Sequence, residues 1–213
     1  MDHSLTEAAA TRVTAGIRAL RFDAGSLALN LVATVGRRPV VPVERLDGVD
    51  RLRRWCAGVG FRLREADATP ETVQSLHALR DAAYDIAAAV LRDGRPRRSS
   101  VDLVNRCAQA APPAPRLRLS VSGVALDERS VELSADALLS LIARDLITLV
   151  GDPVRRSRLR ECDSETCRMI YLTSGSGRPR RWCSMQRCGN SAKAARHRHR
   201  KTIALSETEE PSA

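Results

Sequence analysis

Two cysteine pairs of identical spacing dominate the sequence: Cys162-x4-Cys167 and Cys183-x4-Cys188, separated by fifteen residues. Thiolates are soft ligands. Two short pairs joined by a hairpin-length insert suit a tetrahedral ion with metal–sulfur bonds of about 2.3 Å and no open position for a substrate water. The spacing therefore predicts a structural zinc site (Zn2+) held by Cys162, Cys167, Cys183 and Cys188. The surrounding segment, residues 155–201, has few large apolar side chains and cannot bury enough surface to fold alone, whereas zinc binding contributes roughly 10 kcal/mol or more. Two disulfides or a four-cysteine iron–sulfur site are the other readings of this spacing, and His197 or His199 could replace one thiolate. Cys56 and Cys107 stand alone in helical patterns and read as small buried hydrophobes. In a reducing cytoplasm it is the grouped cysteines that point to metal.

The charge of the chain is concentrated in the same place. Residues 151–201 carry 14 Lys and Arg against 4 Asp and Glu, whereas residues 1–150 carry 21 against 18, and residues 202–213 carry none against 3. A basic excess confined to one small module makes a field that favours a polyanionic partner. Aromatic residues make up 3% of the chain, and the module offers just Tyr171 and Trp182, so recognition of single strands by base stacking is poorly supported. Duplex DNA is the expected partner; RNA or an acidic protein is the alternative.

The pattern along the chain is mainly α. Residues 1–20 read as a mobile start, 21–151 as a helical region with a small β-hairpin, 155–201 as a zinc module of knuckle, β-hairpin and helix, and 202–213 as a disordered acidic tail. Ser26 to Val35 reads as a first apolar helix closed by Gly36, and Val49 to Val59 as a second. Thr69-Pro70-Glu71 supplies a cap, a first-turn proline and an acidic first turn, which predicts a long helix to about Arg92. Val73, Leu76, Leu79, Ala83, Ile86 and Val90 recur on one of its faces, with His77 beside them as a satisfied core residue.

Ser100 to Ala110 reads as a further helix. Alternation at Leu117, Leu119 and Val121, then at Val131 and Leu133, predicts a hairpin. Ser134 opens a helix to about Val150, and Gly151-Asp152-Pro153 reads as a hinge. Within the module, Met169 to Tyr171 reads as a strand, Thr173 to Gly177 as a turn and Arg178 to Trp182 as the return strand, with Met169 and Trp182 covering the metal. Asn190 to Lys201 suits a helix with Lys193, Arg196, His197 and Arg200 on one stripe and Ala192 and Ala195 on the opposite face. Arg178, Arg180 and Arg181 extend that basic stripe toward phosphates.

The run Arg181-Trp182-Cys183-Ser184-Met185 followed by Cys188-Gly189-Asn190, Lys193 and the His/Arg run resembles the CGNR zinc-finger family. Phe22-Asp23-Ala24-Gly25 and Leu29 through Gly36, with weaker matches at Arg45-Leu46 through Trp55 and at Leu79 to Ala82, are similar to the ABATE domain that commonly precedes that finger. The resemblance implies a bacterial, stress-induced transcription regulator whose finger binds DNA and whose helical domain senses an unknown small-molecule effector. Carried onto this chain, the four cysteines match the metal ligands, and Gly189 and Asn190 the motif that follows them. Ser191 departs from the family's arginine, which removes one candidate phosphate or base contact. The candidate nucleic-acid contacts are Arg178, Arg180, Arg181, Asn190, Lys193, Arg196, His197 and Arg200.

The helical region offers little chemistry: Asn30, Thr34, Arg37 and Arg80 are the candidate ligand contacts, each with an alternative reading as a cap or surface residue. No nucleophile, base and orienter stand at a recognisable spacing, and there is no Gly-rich phosphate loop, so no enzyme is expected. The apolar stretches fall short of the roughly 20 residues that cross a bilayer, and Met1 to Thr11 does not resemble a secretory signal. A cytoplasmic protein is expected, and a homodimer, because one small module buries too little surface on DNA for selective binding.

Overall fold

The structure, a computed structural model, describes residues 14–114, 117–126, 132–174 and 179–196. The acidic tail, the turn at residues 175–177 and candidate contacts Arg178, His197 and Arg200 lie outside these. In chain order the elements are α1 (Ala15–Arg18), α2 (Leu27–Val32), β1 (Val35–Gly36), β2 (Val43–Glu44), α3 (Val49–Gly58), β3 (Arg62–Leu63), a 3-10 turn at Glu65–Asp67, α4 (Pro70–Leu91), α5 (Arg98–Cys107), β4 (Leu117–Ser120), β5 (Gly123–Leu126), β6 (Glu132–Leu133), α6 (Ala135–Gly151), α7 (Pro153–Arg156), β7 (Leu159–Glu161) and β8 (Ile170–Leu172). A π-turn at Met185–Gly189 leads into a helix at residues 190–196. About 52% of the chain is helical, so the class is mainly α, with a four-cysteine module after a helical region.

Local chemistry explains where the helices begin. Thr69 and Ser134 accept hydrogen bonds from Thr72 N and Ala137 N, capping α4 and α6. Ser26 does the same for Leu29 N in α2, and Asp145 on α6 accepts from Ala28 N at 2.9 Å, so a partner helix satisfies a second orphan donor. Trp55 and Cys56 on α3, Leu76 and Leu79 on α4, and Leu138, Ile142 and Leu146 on α6 bury their side chains in one core with Leu31 and Leu46. His77 is half-buried at its edge, its Nε2 2.8 Å from the Leu46 carbonyl.

Several local expectations are corrected. The first apolar helix stops at Val32 rather than Val35, because Thr34 turns its hydroxyl back onto the Leu31 carbonyl at 2.7 Å and Val35 pairs with Glu44 in an antiparallel β1–β2 ladder. The hairpin strand Leu117–Ser120 pairs with Gly123–Leu126, whereas Leu133 joins Leu63 in a parallel pair across 70 residues. Leu117, Leu119 and Val124 on that hairpin are exposed. Asp152 is no hinge: it caps α7 by accepting from Val154 N and Arg155 N. Residues 1–13 of the expected mobile start lie outside the described residues, but the chain is tied down before Leu20, where Arg45 Nε donates to the Ile17 carbonyl at 2.7 Å.

The cysteine module does not hang from a linker. A second core joins Ala24, Leu29, Ala33, Ala87, Ala88 and Leu149 of the helical region to Leu159, Cys162, Met169, Ile170, Tyr171 and Cys183 of the module. Alanines on α4 leave room for β7 to come close, while β8 packs against α2. Leu172 N donates to the Ala24 carbonyl at 2.8 Å, and the contact needs a glycine: Gly25 sits at φ +92, and a Cβ there would lie 2.8 Å from Leu172 Cβ. Gly25→Ala should therefore cost about 2–3 kcal/mol in urea denaturation, combining backbone strain with a clash. Gly60→Ala, at φ +83 but in open space, should cost about 1 kcal/mol, the conformational part alone; equal costs at the two positions would mean that the close approach at Leu172 contributes nothing.

Candidate metal centre and nucleic-acid interface

The first cysteine pair is placed by a hairpin. β7 and β8 are antiparallel, with Glu161 opposite Ile170, and Cys162 N donates to the Met169 carbonyl at 2.9 Å as the ladder opens. The intervening loop folds back, with Cys167 N and Arg168 N donating to Ser164 O and Arg168 in the left-handed region at φ 50. The return strand expected at Arg178 to Trp182 does not form among the described residues: β8 pairs with β7, and residues 179–183 are irregular. The second pair is instead brought in by Asp163 N donating to Arg181 O at 3.0 Å and Cys183 N donating to Cys162 Sγ at 3.4 Å.

All four sulfur atoms lie within 4.8 Å of one another. Sγ of Cys183 is 3.7 Å from that of Cys167 and 3.6 Å from that of Cys188. A tetrahedron with metal–sulfur bonds of about 2.3 Å has edges of about 3.8 Å, so the two Cys183 distances match a tetrathiolate ion and the whole group lies close to that size. Cys162 and Cys183 are buried; Cys167 and Cys188 are partly covered. Cys56 and Cys107 lie outside the group, and burial raises both thiols, Cys56 to about 12, so they stay protonated.

Crowded thiols share protons unequally. Hydrogen bonds from Cys162, Cys167 and Cys188 pull the Cys183 thiol far below its ordinary range against its burial, and the charge of Arg21 adds to the pull. Cys162 is held at about 7, chiefly by the hydrogen bond with Cys167, while Cys167 and Cys188 are pushed up by their thiol neighbours. Without metal, then, the cluster holds thiolate and thiol side by side, and the Arg21 guanidinium favours negative charge on Cys183.

Arg21 is the residue that sequence reasoning missed. It is 5% exposed and donates from Nη1 to Cys183 Sγ at 3.3 Å, while Nε and Nη2 donate to the two carboxylate oxygens of Asp23 at 3.0 and 2.6 Å. Burial opposes its charge, but Asp23 and the Cys183 thiolate outweigh it and raise the guanidinium above its ordinary pKa. No local pattern marks this contact, since the two residues are 162 positions apart.

Met169 is buried in the second core, and Trp182 packs against it. Gly189 is buried, and a Cβ there would meet Met185 Sδ at 2.8 Å and Trp182 at 3.6 Å. The motif glycine thus lets the backbone after Cys188 pass beneath two large side chains.

Among the described residues, the candidate nucleic-acid contacts divide between two places. Asn190, Lys193 and Arg196 are exposed on the helix at residues 190–196. Arg181 pairs with Asp163 at 2.7 Å and lies across a groove from Arg196; Glu165, Ser191, Ala192 and Ala195 also line this groove of about 420 Å³. Ala195 is exposed rather than packed. Arg180 points elsewhere, its guanidinium 4.6 Å from the centre of the Tyr171 ring.

The four candidate ligand contacts of the helical region separate. Arg80 is buried and donates from Nη1 to Thr34 Oγ1 at 3.1 Å and Glu44 Oε1 at 2.8 Å. Thr34 and Arg80 thus hold the β1–β2 turn, beside Arg37 at φ 52. Asn30 accepts from Ala24 N at 3.1 Å and lines a separate cavity of about 330 Å³ with Phe22, Leu27, Val59 and Phe61.

Two outcomes follow from this arrangement. Replacing Arg21 by Met should weaken zinc binding about 10-fold in a competition titration with a chromophoric chelator, because the Cys183 thiolate loses its donor; unchanged affinity would make the contact incidental. Reloading stripped protein at pH 7 in weak buffer should release on the order of two protons per chain, because thiols that are protonated in the stripped cluster bind as thiolates. Affinity for the ion should fall as the pH drops, because protons compete with it for all four sulfur atoms.

Comparison with known families finds two matches along the chain. A model of the ABATE family, described as a putative stress-induced transcription regulator, matches residues 25–153. A model of the CGNR zinc finger matches residues 158–201. No curated protein matches the chain. No helix among the described residues is long and apolar enough to cross a membrane. Four clustered cysteines positioned for a metal ion occupy the finger, and the first match covers more than half of the sequence. The chain belongs to the ABATE family and carries a CGNR zinc finger at its C-terminal side.

Proposed function

We propose that this chain is a cytoplasmic regulator that binds one zinc ion through Cys162, Cys167, Cys183 and Cys188 and grips duplex DNA with its finger, acting as a homodimer. The observation that carries the reading is the basic helix that starts at Asn190, two residues after the last cysteine, with Asn190, Lys193 and Arg196 all exposed. Its first turn is fixed by the same π-turn that presents Cys188. Zinc suits four thiolates in a closed site, and its task is to hold that helix in place rather than to activate water. The excess of 14 basic over 4 acidic side chains in residues 151–201 supplies the field that draws a duplex in. A second copy brings a second finger, which selective binding needs because one module of this size buries too little DNA surface.

No catalytic activity is assigned. Thr34, Arg80 and Glu44 of the helical region are engaged with one another, and they shape the fold rather than offer a reactive group. The role of that region is to receive a signal and change how the finger is held, through the shared core around Ala24 and Leu172.

Fluorescence anisotropy of a labelled random-sequence duplex tests the reading. For zinc-loaded protein the logarithm of the binding constant should fall linearly with that of salt concentration. Lys193→Ala and Arg196→Ala should each lower the steepness of that line by about one. Cys183→Ser should abolish binding. No duplex binding by fully zinc-loaded protein would transfer the finger to RNA or an acidic protein partner.

A further inference from the structure

A cavity of about 460 Å³ opens where the helical region meets the finger, lined by Gly25, Arg155, Arg158, Leu172, Thr173, Ser174 and Arg180. It contains three guanidinium groups and no carboxylate. Asp145 partners Arg155 at 3.6 Å, and the Asp23 carboxylate is taken by Arg21. Arg158 has no ion-pair or hydrogen-bond partner for its side chain among the described residues. The lining therefore holds roughly two uncompensated positive charges, those of the exposed Arg158 and Arg180, whose summed field favours an anion.

Two of the arginines are held in place before any ligand arrives. Arg180 donates from Nη2 to the Leu172 and Asp23 carbonyls at 3.3 and 3.4 Å and lies over the Tyr171 ring. Arg155 follows the Asp152 cap on α7 and is steadied by Asp145. Guanidinium groups match phosphate oxygens with paired donors, and Ser174 adds a hydroxyl.

We propose that this junction cavity binds the phosphate group of a small phosphorylated molecule. Its volume lies in the range of small-molecule sites, roughly 300–1,000 Å³, and exceeds what one phosphate fills, so there is room for the rest of the molecule that carries it. The walls come from Gly25 of the helical region, from α7 at the junction, whose Arg155 is held by Asp145 on α6, and from the β8 end of the finger. A bound phosphate would cross-link the two and fix the finger's seat on the core. The inference goes beyond the duplex reading, because a recessed site with its own ligand is not a contact of the exposed helix at residues 190–196.

Isothermal titration of inorganic phosphate into the zinc-loaded full chain, against chloride at matched ionic strength, tests it. Saturable binding at one site per chain is expected. Arg158→Gln and Arg155→Gln should each weaken it about tenfold, as the loss of a charge-assisted hydrogen bond implies. Both variants should keep their zinc content, and their melting temperature in phosphate-free buffer should match wild type. Phosphate should raise the melting temperature of wild type more than that of either variant. No saturable binding up to about 10 mM phosphate, or equal binding by both variants, would overturn the proposal. Loss of duplex affinity in the variants, with no phosphate isotherm for wild type, would overturn it too and place these arginines on the nucleic-acid face. Duplex binding is measured separately, so failure of the phosphate site and failure of the DNA reading are distinguishable.

Discussion

Four thiols converge within 4.8 Å at the junction of helical region and finger, and their mutual repulsion once ionised is the constraint that the surrounding structure answers. A divalent ion compensates half of four negative charges, and Arg21 supplies a further positive charge at 3.3 Å from Cys183. That arginine can be buried because Asp23 holds it with two hydrogen bonds. The segment before α2 is therefore a second layer of the metal centre, although it lies at the opposite end of the sequence. Nearby, Arg45 is buried with no acidic partner among the described residues and donates to the Ile17 and Ala33 carbonyls; burial, followed by the charge of Arg21, lowers it to about 10.

Packing makes the same connection. Small side chains at Ala24, Ala33, Ala87 and Ala88 let β8 and Cys183 sit within the core that Leu29 and Leu149 also enter. Glu161 on β7 pairs with Arg92 at the end of α4 and with Arg168 in the knuckle, at 3.4 and 3.0 Å. A shift of α2, α4 or α7 thus changes the seat of the finger directly, and interfaces packed this closely pass on strain rather than absorb it. This is the physical basis for reading the helical region as the signal-receiving part.

Much of this was legible in the sequence where the cause is local. The cysteine spacing located the metal cluster, and Thr69-Pro70 and Ser134 located the two long helices because caps act within four residues. The stripe from Val73 to Ile86 was readable for the same reason, but the alanines at positions 87 and 88 gave no sign that they form a second buried face against the finger. Long-range pairings were not legible. The parallel contact of Leu63 with Leu133 and the choice of β7 over residues 178–182 as partner of β8 depend on which chain segments meet, and two- or three-residue strands carry too little alternation to announce it. The hydrogen bond from Arg21 to Cys183 had no signal at all, since one arginine among 33 cannot be singled out by composition. Thr34 and Arg80 were found as polar residues worth attention, and the structure assigns them to holding the β1–β2 turn through Glu44.

X-ray absorption at the zinc edge, on protein purified without added metal and normalised to protein concentration, tests the central claim most directly. The account predicts about one zinc per chain with four sulfur neighbours at about 2.3 Å and no nitrogen or oxygen in the first shell. A mixed sulfur and nitrogen shell would replace one cysteine by a histidine, and the absence of zinc, or iron with sulfide in its place, would contradict a closed tetrathiolate centre.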